Sequence, residues 1–302
     1  MKSRIVAYSI LCIWMFLTAV PAGAAAGPTV FVSIVPQKFF VQHIGGDHFD
    51  VEVMVQPGAS PHTYEPKPSQ MRKLAAARAY FTIGVALEDA WLDKISTINP
   101  GMKVVHTEAG IVRMKMVGDH PDGEGHDSDA QGEGRAHDGA EGLDPHIWLS
   151  PELVKVQAKT ITDSLVELDP DREQKYRENY SRFIALVDEL DARLRSILAG
   201  KTGMKFMVFH PSWGYFARSY GLTQVAVEIE GKSPKPASLK KLIDQARAQQ
   251  IRVIFAQPQF SRKSAEMIAR EIDGEVVLID PLAEDWGANM VSVADTLSRA
   301  LR

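Results

Sequence analysis

Short runs of β-branched and aromatic residues alternate with longer amphipathic stretches along most of this chain, and that alternation restricts it to an α/β fold. The first series reads VFVSIV at 30–35, a helix-like 36–45, VEVMV at 51–55, a helix-like 68–78, YFTI at 80–83, a helix from about Leu87 to Ile98 and KVVHT at 103–107. A second series starts at KFMVFH (205–210) and continues with QVAVEI (224–229), RVIFAQ (252–257) and EVVLID (275–280), with helical stretches between. Two lobes of the same grammar are therefore predicted, each a small sheet flanked by helices. A chain of 302 residues that is 45% hydrophobic can bury both.

The interval between the two series is strongly helical. It begins after Ser150-Pro151, breaks at Asp169-Pro170 and runs on from about Asp171 to Ala199. In its second part Tyr176, Tyr180, Phe183, Val187, Leu190, Leu194 and Ile197 recur at steps of four and three, the spacing of one helical face. A helix of this length spans on the order of 40 Å, about the width of a domain. Such a stripe suits either a dimer seam or a rigid strut packed against both lobes, and without a sustained charge code beside it the strut is the reading adopted, in a monomer. The predicted organisation is an N-terminal lobe at 27–149, a helical linker at 150–200 and a C-terminal lobe at 201–302.

Residues 1–26 read as an address. Lys2 and Arg4 precede an apolar run from Ile10 to Val20, and small residues follow, with cleavage frames at Ala22-Gly23-Ala24 and Ala24-Ala25-Ala26. The run is too short for a membrane span, which needs about 20 residues. The pattern predicts a cleavable signal peptide and a periplasmic protein. Cys12, the single cysteine of the chain, lies inside the apolar run and not after a small-residue box, so a lipid anchor is not expected. Its loss leaves no thiol, which suits an oxidising compartment.

Residues 118–142 break the alternation. They hold eight acidic residues, seven glycines, one arginine and His120, His126 and His137, with no Leu, Ile, Val or aromatic side chain. Such a segment cannot form a core and is expected to be a mobile loop whose three imidazoles bind metal weakly. The formal charge of the whole chain is only −4, so the acidity is local, and nothing attracts nucleic acid.

Three other histidines sit beside proline in turn-like settings: His62 in GASPHTYEP, His146 in LDPHIWLS and His210 in MVFHPSWGYFARSYGL. Asp280 ends EVVLID ahead of Pro281. Ligands of open α/β sheets bind outside the carboxyl ends of strands, and His62, His210 and Asp280 each follow a strand run. A cleft between the lobes can collect all four. Three neutral imidazoles and a carboxylate make a tetrahedral donor set for Zn²⁺, whereas Mn²⁺ is better served by more oxygen. Glu65, three residues after His62, offers an additional or outlying carboxylate. His43, His48 and His106 lack the proline setting and are read as structural.

PGASPHTYEP, LDPHIWLS, FHPSWGYFARSYGL and the final LIDPLA resemble, in order and over the whole chain after residue 26, the signature stretches of the metal-binding solute receptors of ABC importers, in their zinc-uptake branch. The resemblance implies two α/β lobes joined by a rigid helix, metal held between them by His62, His146, His210 and Asp280, and delivery to a membrane permease. Manganese receptors of that family usually carry Glu at the third ligand position, so His210 favours zinc. With the linking helix limiting hinge motion, release is expected to depend on small movements of the second lobe that displace Asp280 or His210. Because each imidazole must be neutral to bind, affinity is expected to fall steeply below about pH 6.5.

The competing class is a secreted zinc hydrolase. Catalytic zinc keeps a position for water and needs a base nearby. The chain has no HExxH and no G-x-S-x-G, and Glu228 and Glu230 read as a strand end and a turn. A receptor, not an enzyme, is the reading of the sequence.

Overall fold

Both series close into four-stranded, all-parallel sheets. In the computed structural model, which describes residues 27–116, 142–228, 236–260 and 262–301, the first sheet contains β1 (Thr29–Val32), β2 (Asp50–Val53), β3 (Ala79–Thr82) and β4 (Lys103–His106) in the order β2-β1-β3-β4. The second repeats that plan with β5 (Lys205–Val208), β6 (Thr223–Ala226), β7 (Val253–Ala256) and β8 (Glu275–Leu278) in the order β6-β5-β7-β8. Helices α1 (Val35–Gly45), α2 (Pro68–Leu74) and α3 (Ala86–Ile98) connect the first set, and α6 (Gly214–Ser219), α7 (Pro236–Ala248) and α8 (Arg262–Glu271) the second. The proposed address at 1–26 and the loop histidines His120, His126 and His137 lie outside the described residues. Among the described residues no helix is long and apolar enough to cross a membrane.

The apolar runs outlast the regular ladders by one to three residues, and the excess carries the chain toward the cleft. Val55 N donates to Ser33 O, Phe209 N to Phe255 O, Glu228 N to Phe209 O and Ile279 N to Ala256 O, all at 2.7–2.9 Å. These bonds continue the pairing past the regular ladders, so the backbone groups of the strand ends stay satisfied. At β1 the exit is held by Gln37, whose Oε1 accepts from Ser33 N at 3.0 Å while its Nε2 donates to Thr82 O at 2.9 Å. Helix α2 stops at Leu74, four residues short of the end of the stretch read as helical, 68–78. Arg78 N is drawn to Thr29 O to begin β3, and Asn99 Nδ2 donates to the freed carbonyls of Leu74 and Ala77.

The linker forms α4 (Pro151–Leu168) and α5 (Glu173–Ile197). Pro170 ends the first of them, and Tyr176 donates to Asp169 Oδ2 at 2.7 Å across the break. The stripe of α5 is spent inside the molecule. Tyr176, Phe183, Val187, Leu190 and Leu194 are buried, and the helix packs on α1 of the first lobe, on α4 and on the last helix, α9 (Trp286–Ala300).

Two cores result. The larger runs from Phe31 and Phe40 through Leu165, Phe183 and Leu194 to Phe206, Trp286 and Leu297, so it crosses from one lobe to the other without a gap. The smaller contains Met207, Phe209, Val227, Ile254 and Ile268 and lies on the side of the second sheet that faces α7 and α8. Two buried indoles clasp the lobes together: Trp148 Nε1 donates to Pro281 O at 2.7 Å, and Trp286 Nε1 to Trp148 O at 2.8 Å.

Candidate metal centre

His62 is presented by a loop tied to the end of β2. Gly58 turns the chain at φ +79, a value glycine adopts without strain. His62 N donates to Ser60 Oγ at 3.3 Å, and Gln70 on α2 anchors the loop by accepting from Tyr64 Oη at 2.8 Å and donating to Met54 O at 2.7 Å. His146 enters a short 3₁₀ turn, Ile147–Leu149, just before α4. Asp144 Oδ1 accepts from both His146 N at 2.9 Å and His146 Nδ1 at 2.7 Å. Tyr215 on α6 donates to Asp144 O at 2.9 Å and fastens that turn to the second lobe.

His210 leaves β5 beneath Phe260, its ring stacked on the phenyl at 4.6 Å and 21°. Gln257 holds its backbone from both sides, accepting from His210 N at 3.2 Å and donating to His210 O at 2.7 Å. Its Nδ1 meets Glu228 Oε2 at 2.8 Å. With Nδ1 committed to carboxylates, His146 and His210 turn Nε2 inward, and Nε2 of His210 is buried with no partner among the described residues. A buried nitrogen lone pair without a donor is what a metal ligand looks like before it binds.

The three rings converge. Their centroids are 4.9 Å apart for His62 and His210, 5.3 Å for His146 and His210, and 6.1 Å for His62 and His146. One nitrogen of each lies within 4.8 Å of the others, as no other trio of histidine or acidic residues does among those described. His146 and His210 are buried, whereas His62 is exposed at the mouth of the group. Even so, the protein around the His62 ring desolvates it, and with His210 and His146 beside it the pKa falls to about 3. Burial also lowers that of His210, against the pull of Glu228. Both effects keep the imidazoles neutral and ready to donate. The pocket between them measures about 10 Å³, the room of one water-sized sphere.

Asp280 stands next to this group and not in it. Its Oδ1 accepts from Leu282 N at 2.9 Å and from Gln259 Nε2 at 2.8 Å, while Pro281, Leu282 and Gln259 line the pocket wall. Glu65 is exposed and outside the trio. Of the two carboxylates that orient the rings, Asp144 has a sequence signal, an acid two residues before a histidine around proline. Glu228 had none strong enough to separate it from an ordinary strand end, because its partner lies 18 residues away across the sheet.

A family profile described as zinc-uptake complex component A, periplasmic (ZnuA), matches residues 30–300. The high-affinity zinc uptake system protein ZnuA of Bacillus subtilis strain 168 is 30% identical over 257 residues, covering 84% of this chain and 78% of that protein. A crystal structure of ZnuA superposes with a TM-score of 0.82 at 42% identity, over 91% of this chain and 100% of the other. A zinc-bound ZnuA lacking its residues 138–173 gives 0.81 at 42% identity, over 91% and 98%. Two parallel-sheet lobes, a linking helix and a match across nearly all of the described chain lead to one statement of kinship: the chain belongs to the ZnuA family of periplasmic zinc-uptake binding proteins.

Proposed function

We propose that this protein captures Zn²⁺ outside the cytoplasm and delivers it to the permease of an ABC importer, working as a monomer of two lobes, 27–149 and 201–302, on the linker 150–200. His62, His146 and His210 supply the nitrogen ligands, and Asp280 is the carboxylate that stands beside them. Cleavage of residues 1–26 would free the protein into the periplasm without a lipid anchor, and His120, His126 and His137 would gather metal loosely near the site.

The observation that carries this reading is the convergence of three imidazoles, one with a buried and unpartnered Nε2, two with carboxylates on Nδ1. That donor set suits zinc better than manganese. The pocket between the imidazoles, about 10 Å³, has the room of a single ion. Competitive titration of the metal-stripped protein with Zn²⁺ and Mn²⁺ tests the assignment. Zinc should be preferred, and His210→Ala should weaken zinc binding by more than about a hundredfold, beyond what loss of an orienting partner does. A manganese preference, or no effect of the substitution, would overturn it.

A further inference from the structure

The pocket wall contains an amide that the ligand set does not use. Gln259 follows β7 by three residues, lines the space between the imidazoles and donates Nε2 to Asp280 Oδ1 at 2.8 Å. Leu282 N holds the same oxygen at 2.9 Å. The other end of the amide, Oε1, is buried with no partner among the described residues. The acid best placed in sequence to join the three nitrogens is therefore tied back by a pocket residue that leaves a buried acceptor unsatisfied, an arrangement disfavoured unless something else is gained.

We propose that Gln259 determines metal specificity by holding Asp280 out of the coordination sphere. This rests on the three-imidazole site proposed above. With Asp280 retained, the resting donor set is nitrogen only, and an ion that wants oxygen ligands gains the carboxylate by a movement of Asp280 that works against a hydrogen bond to a charged group. Such a bond shifts an equilibrium by about tenfold or more. Zinc, satisfied by three nitrogens and a water, does not need the rearrangement. Manganese does, so the latch acts against it.

The test compares the wild-type chain, Gln259→Leu, Asp280→Asn and the double variant, each stripped of metal. Competitive titrations with Zn²⁺ and Mn²⁺ are read beside the visible spectrum of the Co²⁺ form, which reports the ligands and their number. Gln259→Leu should raise manganese affinity relative to zinc by about tenfold and alter the Co²⁺ spectrum, and Asp280→Asn in that background should abolish both changes. Asp280→Asn alone should move the zinc to manganese ratio by less than about threefold, because the acid is not a ligand while the latch holds. If Asp280→Asn alone weakens both metals as much as it does beside Gln259→Leu, Asp280 is already coordinated and the latch does not exist. An unchanged ratio in Gln259→Leu refutes it equally. Should Gln259→Leu not fold, Gln259→Met removes the same donor with a flexible chain and carries the same expectations. Zinc binding that survives His210→Ala would instead refute the receptor site itself, a different result from any of these.

Discussion

Glu228 and Asp144 act on metal through the rings they hold. Glu228→Gln keeps the shape of the side chain and removes the charge that fixes the Nδ1 proton of His210, at 2.8 Å and in a buried setting. Loss of such a partner should weaken zinc binding by about 10- to 100-fold with the fold unchanged, measurable by competition and circular dichroism. The titration of the imidazoles makes a second prediction. Three rings at the ordinary value of about 6.5 would lose affinity by more than about a hundredfold in the first pH unit below it. In the folded, metal-free protein His62 lies at about 3 and His210 is lowered by burial, so two rings have no proton to surrender near neutrality. Their depressed values shift proton competition to more acid solution. Calorimetry in buffers of different ionisation enthalpy should find no more than about one proton displaced per zinc at pH 6, and release of three would contradict the structure. The proline-flanked histidines were legible because turn chemistry is local. Glu228 and the Gln259–Asp280 bond were not, since each joins residues that only the closed sheet brings together.

At the scale of the element, the sequence read well wherever one periodicity was decisive. All eight strands among the described residues lie within or beside the runs that predict them, and the signal is strongest for the central strands β1, β3, β5 and β7, whose burial needs an unbroken apolar stretch. Boundaries were less legible. Chain direction past the last ladder bond is set by partners such as Gln37 and Asn99, which carry no periodic signal. The stripe of α5 could have served a dimer or a strut, and its burial against α1, α4 and α9 makes it a strut. Leu194 is fully buried there, and Leu194→Ala should destabilise the protein by about 2 to 5 kcal/mol in urea unfolding. Its mass in solution should not change. Dissociation of a dimer on that substitution would restore the seam.

At the scale of the whole molecule, the continuous larger core and the two indole bonds argue against a wide hinge. Scattering from the metal-free and zinc-loaded protein should give the same radius of gyration within error, and a large contraction on loading would refute a rigid frame. Movement has an easier outlet in the smaller core, whose Phe209 packs against Phe260, the ring stacked on His210. Hydrogen exchange should therefore be faster in β7, α8 and β8 than in α4 and α5, and zinc should narrow the difference. Helix α9 adds a constraint of another kind. Trp286 sits edge-on to Phe40 at 5.2 Å, and Ser298 Oγ donates to Ile197 O at 3.0 Å, so the final helix fills a space bounded by the first and the fifth. A chain emerging from its amino end has an open hole in its principal core until those last residues arrive, and for most of its synthesis it remains a substrate for machinery that handles unfolded protein.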